Sequence, residues 1–176
     1  MSMEEIKNHF ESEAVEYEKI ISQLIPYYTE MLEAAASIIS FDTNKEFKVI
    51  DLGCGTGTLS VEILKKFPKA KITCVDIAEN MLKIAEEKLG SSFEYINSDF
   101  NDFIFPDKYD LIVSSLALHH LLNDDDKKVF YNKIYDALNS GGVFINADVI
   151  TGSDKFLQEI YLEKWMKYME RNMSKE

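Results

Sequence analysis

The chain has 176 residues, 46% of them hydrophobic and 28% charged, enough for one domain with a real apolar core. Its 31 acidic against 19 basic residues leave a net charge of −12, so the surface as a whole repels phosphate backbones and a nucleic-acid partner is disfavoured. No leader-like pattern and no run of about 18 apolar residues stands out, which predicts a chain that is neither exported nor membrane-inserted and works in the cytoplasm.

Ile6, Phe10, Ala14, Tyr17, Ile20, Ile21 and Leu24 recur at three- and four-residue steps, predicting an amphipathic helical segment that Pro26 interrupts. A second helix over 27–39 carries Met31, Leu32, Ala35, Ile38 and Ile39 on its apolar stripe, and Phe41-Asp42-Thr43-Asn44 ends it with turn residues. Strands are then predicted near 47–52, 71–76, 93–97, 109–114 and 142–149, with helices near 58–67, 79–89 and 124–139. This alternation implies a parallel sheet covered on both faces by right-handed crossovers, a three-layer α-β-α fold. Asn123 before Asp124-Asp125-Asp126 reads as a helix cap with an acidic first turn, and Gly141 as the residue just past that helix's end. An amphipathic helical stretch from about 153 to 173 follows the last strand.

The densest information lies in Val49-Ile50-Asp51-Leu52-Gly53-Cys54-Gly55-Thr56-Gly57-Thr58, a short apolar strand, a glycine turn and the start of a helix. Gly53, Gly55 and Gly57 present no Cβ, so a ligand can lie against bare backbone there. Asp76 ends a second apolar run, Lys71 to Asp76, about twenty residues past the turn, where a nucleoside-binding α/β unit holds the acid that recognises ribose. A dinucleotide site requires G-x-G-x-x-G; this chain reads G-x-G-x-G and has Thr58 where the third glycine would stand, which weakens the oxidoreductase alternative.

The string Asp51-x-Gly53-x-Gly55-x-Gly57 resembles motif I of the class I S-adenosylmethionine-dependent methyltransferases. Val75-Asp76-Ile77-Ala78-Glu79-Asn80-Met81-Leu82, Asn97-Ser98-Asp99-Phe100, Tyr109 to Ser115 and Leu138 to Ile145 look like that family's following segments, in order, over about residues 47 to 149. The resemblance implies a Rossmann-like core at 46–150, an N-terminal helical lid at 1–45, a C-terminal helix at 151–176, and S-adenosylmethionine as cofactor with S-adenosylhomocysteine as product. It also implies a seven-stranded core, whereas five strands are legible here, so the last two are expected to be missing.

By the same resemblance, Gly53, Cys54, Gly55, Gly57 and Asp51 sit around the methionine tail, Ser115 offers its carbonyl to the ammonium, and Tyr17 covers the methionine end from the lid. Asp76 accepts both ribose hydroxyls, as the two oxygens of a carboxylate suit a vicinal diol. Ile77 and Met81 pack on the adenine face, Asp99 accepts from its amino group and Phe100 borders the ring. Each has a plain structural reading beside it: Asp51 ordering the turn through its amides, Asp76 capping the next helix, Asp99 forming an Asx-turn, Met81 and Tyr17 filling core. His119, in Ser114-Ser115-Leu116-Ala117-Leu118-His119-His120, is the candidate for acceptor contact or proton removal, against a histidine that anchors its loop.

No metal site is expected, since two isolated cysteines and three histidines lack C-x-x-C or H-x-x-x-H spacing; Cys54 and Cys74 are expected as reduced thiols. The function implied is methyl transfer to a small-molecule acceptor, with a non-catalytic S-adenosylmethionine-binding protein as the alternative. The fifth strand is expected at an unpaired sheet edge, open to homo-oligomer formation unless the C-terminal helix folds over it.

Overall fold

The computed structural model describes residues 3–121 and 123–173. Five parallel strands, β1 (Lys48–Leu52), β2 (Lys71–Asp76), β3 (Glu94–Asn97), β4 (Tyr109–Ser115) and β5 (Leu138–Ala147), form one sheet in the order β3-β2-β1-β4-β5. Alternation along the strands sends Val49, Leu111 and Val113 to one core with Leu59 and Ile63 of α4 (Thr58–Lys66), and Leu32, Ala35 and Ala36 of α3 (Tyr28–Ser37). Ile50, Leu52 and Ile112 go to the other, under Phe130 and Ile134 of α6 (Asp124–Ala137). The three-layer Rossmann-like architecture is the one the alternation implies, and the order places β1 and β4 centrally with their carboxyl ends side by side.

The N-terminal helical segment divides in two, α1 (Met3–Glu13) and α2 (Tyr17–Leu24), where the apolar spacing implies one. Ala14 is buried against Ala78 and Met81, whereas Val15 beside it is 86% exposed, so the chain turns between the helices to seat Ala14. The second departure is at β5, which starts at Leu138 rather than near 142: Gly141 (φ +80°) sits inside this strand, across from an irregular register between Tyr109 and Leu111. Asn123 does cap α6, its Oδ1 accepting from the Asp126 N–H at 2.9 Å.

Two helices receive their missing terminal partners from distant side chains. Glu11 of α1 accepts from the N–H groups of Glu79 (2.7 Å) and Asn80 (2.9 Å), capping α5 (Glu79–Leu89) from another element. The carbonyls of Ser22 and Leu24 in the last turn of α2 accept from Tyr168 Oη (2.8 Å) and Trp165 Nε1 (2.6 Å) of α7 (Lys155–Asn172). The C-terminal helix is therefore docked on the lid, not folded over β5, which among the described residues pairs with β4 alone and lies at the sheet edge.

Candidate functional site

The site lies at the carboxyl ends of β1, β2 and β4, where the sheet's crossovers diverge. After Leu52 the chain turns through Gly53 (φ +69°), Gly55 (φ +53°) and Gly57 (φ +79°), all left-handed. Gly53 and Cys54 donate their N–H groups to the Val75 carbonyl at 2.8 and 3.0 Å, tying the turn to β2. A Cβ on Gly53 would lie 2.2 Å from Ala117 Cβ, so close packing as well as φ demands glycine there. At Gly55 a Cβ would meet only Tyr17 Cε1, at 3.8 Å: the backbone faces open space under the lid.

That space is a part-enclosed cleft with mostly apolar walls. Gly53, Gly55, Asp76, Ile77, Met81, Phe100 and Ser115 all reach its wall, and Tyr17 closes it from α2. A smaller recess behind Tyr17 is lined by Cys54, Thr56, Thr58, Ser115 and Tyr28. Asp76 Oδ2 accepts from the Gly55 N–H (2.8 Å) and Oδ1 from the Ala78 N–H (2.9 Å), so it orders both the turn and the start of α5. Burial pushes its carboxyl up to about 6 despite those bonds.

Asp51 stands behind the turn, fully buried, and holds α4 rather than the turn amides: Oδ2 accepts from Ser60 Oγ at 2.7 Å. Oδ1 has no protein partner, and burial, reinforced by Asp76, pushes this carboxyl up to about 7. Asp99 does not reach the cleft; its Oδ1 accepts from the Asn101 N–H at 2.7 Å in an Asx-turn. Gly57 packs on α5, where a Cβ would be 3.1 Å from Ala85 Cβ.

At the other end of the cleft, Leu116 (φ +50°) leads through a 3₁₀ turn, Leu118–His120. His120 lines the wall, edge-to-face with Phe10 of α1 at 5.5 Å, and burial pushes its imidazole down to about 4, so it is neutral at pH 7. His119, the sequence candidate for acceptor contact, is not on the wall: its Nδ1 lies 2.7 Å from Asp148 Oδ1 and anchors the loop to the end of β5. His120 is thus the site residue that sequence reasoning missed, together with Glu18. Glu18 Oε1 accepts from Thr56 Oγ1 (2.7 Å), Thr58 Oγ1 (2.9 Å) and Lys88 Nζ, latching the lid onto the glycine turn. These partners are 38, 40 and 70 residues away in the chain, and no local pattern announces them.

A strand-end carboxylate, bare glycine backbone and an apolar slot fit a nucleoside carrying a cationic tail; among the described residues no cluster of His, Cys, Asp or Glu is arranged to hold a metal ion. Comparison with known proteins agrees. The family model described as "Methyltransferase domain" matches residues 49–142, more than half of the chain. The chain is 37% identical over 102 residues to malonyl-[acyl-carrier protein] O-methyltransferase 1 of Ilyobacter polytropus, covering 57% of this chain and 37% of that protein. It is 30% identical over 169 residues to the carboxy-S-adenosyl-L-methionine synthase of Campylobacter fetus, covering 93% of this chain and 71% of that one. The solved structure of the DhpI–SAM–HEP complex shares the fold, with a TM-score of 0.71 at 22% identity, over 90% of this chain and 71% of that one. The chain spans 37% to 71% of these relatives' lengths, and it belongs to the class I S-adenosylmethionine-dependent methyltransferase family.

Proposed function

We propose that the chain transfers the methyl group of S-adenosylmethionine to a small-molecule acceptor. The observation that carries this reading is the cleft itself, where the open backbone of Gly55 and the Asp76 carboxylate meet an apolar wall under Tyr17. Asp76 holds the ribose hydroxyls, Ile77, Met81 and Phe100 hold the adenine, and Tyr17, Cys54 and Ser115 surround the methionine end. Above about pH 7, where Asp51 is ionised, its carboxylate supplies negative potential behind the turn, of the sign a cationic tail requires.

S-adenosylmethionine supplies a methyl carbon already activated by its sulfonium, so positioning and exclusion of water provide most of the rate. The lid does both, with Phe10 and Tyr17 covering the cleft and Glu18 holding α2 down. His120, neutral at pH 7, has one N–H donor and one ring acceptor to orient an acceptor. Calorimetric titration with S-adenosylmethionine, S-adenosylhomocysteine and NAD, followed by an acceptor screen reading S-adenosylhomocysteine release, tests the proposal. Binding of the two sulfur nucleosides without NAD supports it, and NAD binding alone overturns it.

A further inference from the structure

Two of the relatives named above are named for chemistry that puts a carboxylate at the reacting end, and the cleft bears on whether this chain shares it. A malonyl acceptor brings a carboxylate oxygen up to the methyl carbon, and a carboxylated S-adenosylmethionine bears a carboxylate on that carbon, so both put a carboxylate at the reacting end. A carboxylate taken out of water needs a cation or several donors, and unpaired it costs heavily. Among the described residues, the acceptor end is walled by Ile6, Phe10, Leu116, Ala117 and His120, and no lysine or arginine lines the cleft anywhere.

Lys88 and Lys7 stand nearby but outside this lining. Lys88 is held by Glu18 and by the Thr56 carbonyl at 3.0 Å. Lys7 lines the adjoining surface cleft with Glu4, Asp99 and Asp102, on the far side of Ile77 and Ser98 from the site. His120 is not a substitute: Phe10 and His119 pack on its ring, and burial keeps it uncharged. His119, next to it, is turned to Asp148. The charged group on the wall is Asp76, with Asp51 buried behind the turn. The field at the reacting end is therefore negative or neutral, welcoming to a sulfonium and hostile to a second carboxylate.

We infer that this site takes the unmodified methyl donor and an uncharged, apolar acceptor, and rejects any donor or acceptor carrying a carboxylate at the reacting end. The inference rests on the nucleoside reading of the cleft and adds the substrate class to it. It sets this chain apart in chemistry from the activities for which its malonyl and carboxy-S-adenosylmethionine relatives are named.

The test is calorimetric titration of the full chain with S-adenosylhomocysteine, S-adenosylmethionine and carboxy-S-adenosylmethionine near neutral pH. The carboxylated donor is expected to bind at least about tenfold more weakly than S-adenosylmethionine, as an unpaired carboxylate in a part-enclosed site should. Equal or tighter binding of the carboxylated donor, with S-adenosylhomocysteine still bound, overturns the inference and leaves the nucleoside reading standing. Failure of all three to bind overturns both. His120→Lys places a cation at the acceptor end and is expected to narrow the gap by at least about threefold, whereas His120→Gln keeps the end neutral and the gap intact. Should the lysine variant not fold, Ile6→Lys makes the same change from α1 on the facing wall. A folded lysine variant with an unchanged gap overturns the assignment of the reacting end.

Discussion

Asp76 is where the sequence and the site meet most directly. Its carboxylate already accepts from two backbone N–H groups, and the proposed ribose hydroxyls add to these, so Asp76→Ala is expected to weaken S-adenosylhomocysteine binding by about 1.5–3 kcal/mol. An unchanged dissociation constant in a folded variant removes Asp76 from the ligand. Because burial pushes Asp76 up to about 6, the group is a carboxylate acceptor only above that pH. Affinity should therefore rise as pH increases through 6 and then level off, and this rise should vanish in Asp76→Asn. Asp51 yields a stability prediction of definite sign. Its native carboxyl is pushed up to about 7, against about 3.9 in an unfolded chain, so the native state binds the extra proton between those values. Its contribution is fullest below the lower value and is lost as pH rises through the upper one. The Tm of Asp51→Asn minus that of the wild type should accordingly increase from about pH 5 to about pH 8, and a difference independent of pH would show that Asp51 does not titrate with folding. That Asp76, Gly53, Gly55, Ile77, Met81, Phe100 and Ser115 meet at one cleft was legible because strand ends and a glycine turn are local patterns, whereas Asp51, held by Ser60, and Gly57, packed on α5, do not line it. His119 and His120 were not separable, since adjacent residues on one 3₁₀ turn point in different directions and only the packing on Phe10 decides which faces the cleft.

At the scale of elements, the lid is the part whose internal logic the periodicity conveys least. Apolar spacing identifies an amphipathic N-terminal segment, but the break at residues 14–16 depends on Ala14 packing over α5, a contact more than sixty residues distant in sequence. What ties the lid down is polar. Glu11 supplies the cap that α5 lacks at Ala78, and Glu18 gathers three donors from the glycine turn, α4 and α5. Glu18 is half-exposed, so its stabilisation is that of a screened network, not of a buried pair. Glu18→Ala should leave the fold cooperative and speed dissociation of S-adenosylhomocysteine about three- to fivefold, equivalent to about 0.7–1 kcal/mol. Stopped-flow displacement measures this, and identical dissociation rates would show that α2 merely covers the core. Glu11→Ala should lower stability by about 1 kcal/mol through the lost cap, visible as a shift of the urea midpoint at constant m.

For the whole molecule, the arrangement that no local pattern discloses is the path from α7 through the lid to the cleft. The edge strand was expected to be open to another copy unless the C-terminal helix folded over it, and Val143, Val149 and Ile150 there are apolar and exposed. The helix instead meets two of the carbonyls in the last turn of α2, where a helix leaves its final C=O groups without a partner of its own. No side chain of α7 is buried, so little apolar area holds it, and it belongs to the low-stability end of the molecule. Trp165, the single tryptophan, sits at that contact and reports on it selectively. Its emission is expected to shift to the red at lower urea than the loss of far-ultraviolet ellipticity from the sheet and its helices. Because α2 lies between α7 and the glycine turn, saturating S-adenosylhomocysteine should raise the first midpoint if the closed lid is the binding form, by up to about 2.7 kcal/mol at a hundredfold excess over Kd. Trp165→Phe keeps a ring but loses the bond to Leu24, and it should speed ligand dissociation without touching the cleft. Coincident fluorescence and ellipticity transitions, unchanged in order by ligand, would show instead that α7, lid and core unfold as one cooperative body.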